Sequence, residues 1–296
     1  MKFKVLLALF ISILAAQTVQ ANDSCEPVFV HTIEPDFPGV DLPALYQVFK
    51  INFDVTVSEV PESKMPTANK RDMGLYLLKK KQVYIAKAYR PITKHLVANH
   101  ELVHVRYFDR FQKFPDSIEN FMGTSLIAGG KNKFNGTLQQ YYPDSFKLEE
   151  VLAYASDIKN SFNILKSKKL IHAPDIQEVQ IYYQTSIEVF DALVETSLGS
   201  LKATRSYIYD RIRSKEPLDI KMIPHFNEKP DFWIMEMTIK DQHGEPMILL
   251  EIPIYDPAFS KNRTIENLEA KLIKNLDYAI KRIILTQVDI KSYRIQ

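Results

Sequence analysis

The spacing of apolar residues divides the chain into a strand-rich beginning, a helical middle and a mixed tail. Alternation of apolar and polar residues is typical of half-buried strands. In the first third of the chain the pattern predicts a short helix, followed by a strand and a hairpin that turns at three consecutive lysines. These elements run from Asp41 to Phe49, from Phe53 to Val60, and from Gly74 to Leu78 and Gln82 to Lys87. Two positions are possible for the hairpin strands: an exposed edge of the sheet or a buried place within it.

Helical spacing dominates the middle of the chain. Thr93 is the predicted N-cap of a helix that extends to about Phe111, and Asp144 or Ser145 starts a second helix that reaches about Leu165. A third helical region runs from Pro174 to Ser214, with Gly199 as a candidate break. Residues 122–137, between the first two helices, hold four of the eight glycines. This composition predicts a flexible connection, and we expect it to form a mobile lip over a cleft.

The tail after Pro217 predicts two strands and a helix. The strands run from Phe232 to Ile239 and from Met247 to Ile254, and the helix runs from about Thr264 to Leu285, before a predicted last strand. This order predicts a C-terminal ββα module.

The first 21 residues predict a signal peptide. Lys2 and Lys4 precede an apolar run from Val5 to Ala16, and Val19-Gln20-Ala21 offers small residues for cleavage. Removal of the leader leaves 36 basic residues against 36 acidic ones. A net charge near zero argues against a nucleic-acid-binding surface, and no later run is long and apolar enough for an integral membrane segment. We therefore expect an exported protein, periplasmic or extracellular.

Cys25 is the only cysteine, so no internal disulfide can form. It is either a free thiol on the N-terminal segment or a thiolate that caps a metal until this segment is displaced.

The first predicted helix contains the sequence His100-Glu101-Leu102-Val103-His104, an HExxH pattern. Residues four apart on a helix lie on the same side, so both imidazoles face the apolar stripe of the helix. A single inward histidine is most often a hydrogen-bonded core residue, and the pattern also occurs by chance. Two inward histidines need polar partners, and a divalent cation would serve both.

The second helix supplies a candidate third ligand. Glu150 shares its side with Phe146, Ala153, Tyr154 and Asp157 and is expected to point inward. Glu149 shares its side with Ser156, Asn160 and Asn163, which predicts a solvated face. Glu150 is therefore the preferred ligand and Glu149 the alternative.

These residues resemble the gluzincin-type zinc metallopeptidases, over Leu42 to Asn160. The resemblance lies in His100-Glu101-x-x-His104, in Glu150-x-x-Ala153-Tyr154 and in the preceding hairpin. It implies that His100, His104 and Glu150 bind zinc, and that Glu101 is the general base and then protonates the leaving amine. It also implies that an upstream strand pairs with extended substrate.

The resemblance leaves two roles open. A tyrosine, histidine or arginine usually stabilises the oxyanion in this family, and Tyr154, Tyr141, Tyr142 and His225 are the candidates. Many relatives carry Asp or Asn at the position of Tyr154 to orient a ligand histidine, so Asp157, one turn further, is the candidate substitute.

Together these features predict an α+β chain with three parts. Residues 1–21 form the signal peptide, residues 22–216 a zincin-like catalytic domain with a long helical body, and residues 217–296 the ββα module. We expect an exported zinc metallopeptidase whose partners are peptide or protein substrates. The alternatives are a noncatalytic binding module that keeps the fold and metal, or an envelope scaffold whose HExxH is accidental.

Overall fold

A computed structural model describes the fold of most of the chain. The described residues are 41–66, 72–77, 80–113, 125–128, 145–167, 172–224, 232–240, 246–255 and 265–295. The predicted signal peptide, Cys25, Tyr141, Tyr142 and His225 lie outside them.

The described part of the chain has an α+β architecture, with long helices and two sheets. The helices are α1 (Leu42–Phe53), α2 (Pro91–Lys113), α3 (Leu148–Lys166), α4 (Ala173–Ser214) and α5 (Ile265–Ile290). The strands are β1 (Thr56–Val60), β2 (Gly74–Leu77), β3 (Gln82–Ala86), β4 (Ser125–Ala128), β5 (Ser145–Lys147), β6 (Ile220–Pro224), β7 (Phe232–Lys240) and β8 (Pro246–Tyr255). None of the described helices is both long enough and apolar enough to cross a membrane.

The first sheet has three strands in the order β1-β3-β2. β1 runs parallel to β3, and β2 runs antiparallel to it, so the predicted hairpin is present with β2 at its edge. Alternate residues of β3 point into the core, where Val83 and Ile85 are fully buried. They pack with Phe49 of α1 and Leu102 of α2. This core fixes α2 against the sheet.

Helix α2 begins two residues before the predicted N-cap. Pro91 is its first residue, a position that suits proline because no intrahelical donor is needed there. Thr93 is therefore not the cap. It lies in the first turn, almost fully buried, and its hydroxyl donates a 2.5 Å hydrogen bond to Glu178 of α4.

Helices α3 and α4 also differ from the predictions at particular residues. The predicted start of α3 at Asp144 or Ser145 is wrong, because residues 145–147 form β5 and the helix begins at Leu148. Helix α4 continues without a break through Gly199 and ends at Ser214, before its C-cap Lys215, whose φ of 57° is left-handed. Helix α3 packs against α2, α4 and α5.

The second sheet joins distant parts of the chain. Its five strands follow the order β5-β4-β8-β7-β6, and each pair is antiparallel. The prediction that residues 122–137 hold no packed element is wrong at β4, which pairs with both β5 and β8. The predicted boundary at residue 217 thus separates strands of one sheet. Helix α5 extends to Ile290 and leads into a 3₁₀ turn in place of the predicted last strand.

Candidate metal centre

The two histidines of the HExxH pattern and Glu150 converge on one point. The two Nε2 atoms of His100 and His104 lie 3.2 Å apart. Oε2 of Glu150 lies 3.4 Å from Nε2 of His100 and 3.5 Å from Nε2 of His104. Helix α2 places the histidines one turn apart, and the packing of α3 on α2 brings the carboxylate to them. These three residues form a group that could hold a metal ion.

The separations of these atoms match the size of a small cation. Zinc binds imidazole nitrogen and carboxylate oxygen at about 2.0–2.2 Å, so neighbouring ligands of a tetrahedral ion are about 3.3–3.5 Å apart. The three observed separations are 3.2, 3.4 and 3.5 Å. The three atoms are therefore separated as three of the four ligands of a tetrahedral ion would be.

A carboxylate of α3 lies behind each imidazole ring. Nδ1 of His100 lies 2.8 Å from Oδ2 of Asp157, and Nδ1 of His104 lies 3.7 Å from Oε1 of Glu149. An ionised carboxylate only accepts hydrogen bonds, so the proton of a neutral His100 ring is held on Nδ1. Nε2, the other ring nitrogen, is then directed towards Glu150. This arrangement of a carboxylate behind a histidine is typical of metal sites.

Glu149 does not lie on a solvated face, as its sequence neighbours had predicted. Its side chain is 2% exposed, and Ser156 and Asn160 on the same face are buried as well, while Asn163 is exposed. The reason is that three helices surround α3, so its polar side is also covered. Glu149 lies behind His104, whereas Glu150 faces the point where the ligand atoms meet.

The converging atoms favour a positive charge between them. Oε2 of Glu150 is buried and has no hydrogen-bond partner among the described residues. Burial opposes the charged form of His100, but Asp157 and Glu150 outweigh it and hold its pKa well above the usual value. Burial also opposes ionisation of Glu150, yet His104 and His100 hold its pKa well below the usual range. An orphaned carboxylate oxygen facing two imidazole nitrogens fits a bound cation.

Glu101 lies beside this group in a cavity. Its side chain is buried, and burial raises its pKa although His104 and His100 act in the opposite direction. The cavity has a volume of about 640 Å³ and is lined by β2, α2, α3 and α4. β2 contributes Gly74, Leu75 and Tyr76 to the lining. Of the two alternatives for the hairpin, the edge position therefore applies to β2, and the central position applies to β3.

Tyr154 is the one predicted oxyanion candidate among the described residues. Its ring contacts that of His100 edge-on, with the ring centroids 5.0 Å apart, and it lines the cavity.

The sequence reasoning missed Tyr182 of α4, which also lines the cavity. Burial and the neighbouring Asp157 raise the pKa of Tyr182 well above its usual value. No motif marks this residue, because its place in the cavity depends on how α4 packs against α2 and α3.

No family model, curated protein or solved structure matches this chain.

Proposed function

We propose that the chain is an exported zinc metallopeptidase of the gluzincin type, with a zincin-like catalytic domain that hydrolyses peptide bonds. The observation that carries this proposal is the convergence of His100, His104 and Glu150 beside Glu101 in one cavity. Two imidazole nitrogens and one carboxylate oxygen are a ligand set of catalytic zinc, which keeps its fourth position open. The edge strand β2 in the cavity wall supports a peptide as the substrate.

Zinc at this site would polarise a peptide carbonyl and lower the pKa of a water molecule towards about 7. Glu101 is the general base. Its side chain lies in the wall of the cavity that His100, His104 and Glu150 also line. It accepts the proton of the attacking water and then donates it to the leaving amine. A carboxylate on the cavity wall beside the ligands is placed to hold the proton between these two steps.

The remaining residues of the cavity position the substrate. An extended peptide can add to the edge of β2 through backbone hydrogen bonds. Tyr154, next to His100, is the residue that hydrogen-bonds the carbonyl oxygen as negative charge develops on it.

The Glu101→Gln variant tests the proposed reaction. We expect it to retain about one zinc per chain and to lose cleavage of an unstructured protein substrate by about 10²–10⁴-fold, the usual contribution of a general base. Glu188→Gln is the matched control, because Glu188 is exposed on α4 and does not line the cavity. Equal turnover in Glu101→Gln and the native protein would show that Glu101 is not the base.

Metal analysis tests the site without reference to catalysis. We expect about one zinc per chain in the purified protein and a lower melting temperature after strong chelation, because a bound ligand stabilises the folded state. Purified protein that lacks zinc and melts at the same temperature with and without chelator would exclude the metal site. In that case the HExxH would be accidental.

A further inference from the structure

Gly74 is the first residue of the edge strand β2 and lies in the wall of the cavity. It pairs with Ile85 of β3 on one side. The opposite side of Gly74 is part of the outer edge of β2, to which a peptide would pair. Its φ is not in the left-handed region, so other residues could adopt the same backbone conformation. The reason for glycine at this position must therefore be space.

The space around Gly74 is occupied by two side chains of α2. A Cβ atom built on Gly74 would lie 2.5 Å from Cγ1 of Val97 and 2.6 Å from Oε1 of Glu101. It would also lie 3.1 Å from Cγ of Glu101. Real Cβ atoms essentially never approach other heavy atoms within 3.0 Å. Any side chain at this position thus requires either the strand or both Val97 and Glu101 to move.

Neither neighbour can move without consequence. Val97 is 3% exposed and Glu101 is 5% exposed, so both are enclosed by protein. Val97 belongs to the core that holds α2 on the first sheet. Both side chains line the cavity, and each lies within 2.6 Å of the position that a Cβ would take. A larger residue at position 74 would therefore displace the Glu101 carboxylate together with Val97 or strand β2.

We infer that Gly74 is a positioning residue for Glu101. Its missing side chain lets the backbone of β2 lie directly against the carboxylate. This contact holds the edge of β2, which would pair with the substrate, against the carboxylate of Glu101, which would take the proton. A paired peptide strand lies about 4.8 Å from β2, so its distance from Glu101 is set by this contact. The catalytic part of the inference rests on the proposed function.

The test compares Gly74→Ala with Gly199→Ala. Gly199 is the control, because a Cβ there meets nothing within 4 Å and the residue lies in the middle of α4. We expect Gly74→Ala to keep its zinc, since all three ligands lie on α2 and α3. We expect its kcat to fall by about 100-fold, a loss that a displacement of about 1 Å can cause, with a smaller change in KM. Gly199→Ala should change neither constant.

Combination with Glu101→Asp separates positioning from general damage to the fold. The shorter aspartate withdraws its carboxylate from the methyl group that Gly74→Ala adds. We therefore expect Glu101→Asp to lower kcat less in the Gly74→Ala background than in the Gly199→Ala background, a non-additive result. The same pairs of variants form a second cycle, in which the melting temperature of the metal-free protein is measured. There, Glu101→Asp should restore part of the stability that Gly74→Ala loses and should restore none in the Gly199→Ala background.

The outcomes distinguish this inference from the proposed function. Native kcat in Gly74→Ala, or additive effects in both cycles, would overturn the role of Gly74. A native protein that binds zinc but cleaves no peptide would instead contradict the proposed function. The melting cycle would still decide whether Gly74 and Glu101 are in contact.

Discussion

Helices α2 and α3 build the two halves of the candidate site in different ways. Helix α2 contributes both histidines and Glu101 within five residues, so their relation follows from the helical repeat alone. Helix α3 contributes three carboxylates, Glu149, Glu150 and Asp157, whose roles depend on how the helix is packed. The comparison shows that a local repeat can place the nitrogen ligands, whereas tertiary packing selects and orients the carboxylates.

The largest expected effect comes from the one ligand that α3 supplies. Glu150→Ala should reduce zinc in the purified protein from about one to less than about 0.1 per chain, because only two ligands remain. Glu149→Ala removes a carboxylate of the same charge from the neighbouring position and should retain the metal. Metal analysis of both variants after dialysis measures this difference. The opposite order would exchange the roles of these two residues.

Core substitutions test whether each helix is held by its own neighbours. Leu102 of α2 and Ile158 of α3 are almost fully buried, with exposures of 1% and 0%. Each change to alanine should lower the free energy of unfolding by about 2–5 kcal/mol, as measured by denaturant titration. Zinc affinity under native conditions should stay close to that of the native protein. A large loss of zinc in only one variant would show that its helix alone sets the geometry of the site.

The loss of zinc affinity on replacing each outer carboxylate should depend on its distance from the imidazole ring. Asp157→Asn should weaken zinc binding by about 10–100-fold, since a hydrogen-bonded carboxylate orients a ligand imidazole, and Glu149→Gln should weaken it by less. The effect should be larger for Asp157, which lies 2.8 Å from Nδ1 of His100, than for Glu149, which lies 3.7 Å from Nδ1 of His104. Competition with a fluorescent zinc indicator gives both affinities. Equal and negligible losses would mean that packing alone orients the rings.

The smallest expected effect concerns the link from the start of α2 to α4. Arg90 forms an ion pair with Asp175, and the arginine side chain is 42% exposed. Arg90→Ala should therefore lower the free energy of unfolding by no more than about 1 kcal/mol. The loss should shrink in about 1 M salt, which screens exposed charges. A larger, salt-independent loss would show that this pair is a principal anchor of α2.

The residues that could be predicted from the sequence are those whose placement depends on local spacing. His100 and His104 face the same point because they are four residues apart, and Glu150, which the sequence favours over Glu149, lies in one group with them. The environment of Glu149 was predicted wrongly, because Ser156 and Asn160 beside it are small polar residues that also occur on solvated faces. Only the packing of other helices around α3 shows that this face is covered.

The second sheet was beyond sequence reasoning for a related reason. β4 has only four residues, and glycines surround it in the sequence, so local composition predicted a flexible connection. Its partner β8 lies far along the chain, and a single sequence carries no local signal for such a pairing. Tyr182 was missed in the same way, since no spacing connects it with the HExxH pattern.

The direct continuation of β5 into α3 has a consequence for the order of folding. β5 ends at Lys147, and Glu149 and Glu150 lie in the first turn that follows. β5 is joined through β4 to β8, where Leu126 pairs with Leu250, 124 positions further along the chain. Contacts of such large sequence separation form slowly, whereas a single helix forms quickly. During synthesis, the segment that carries both histidines would therefore emerge well before β8, the strand that completes the pairing of β4.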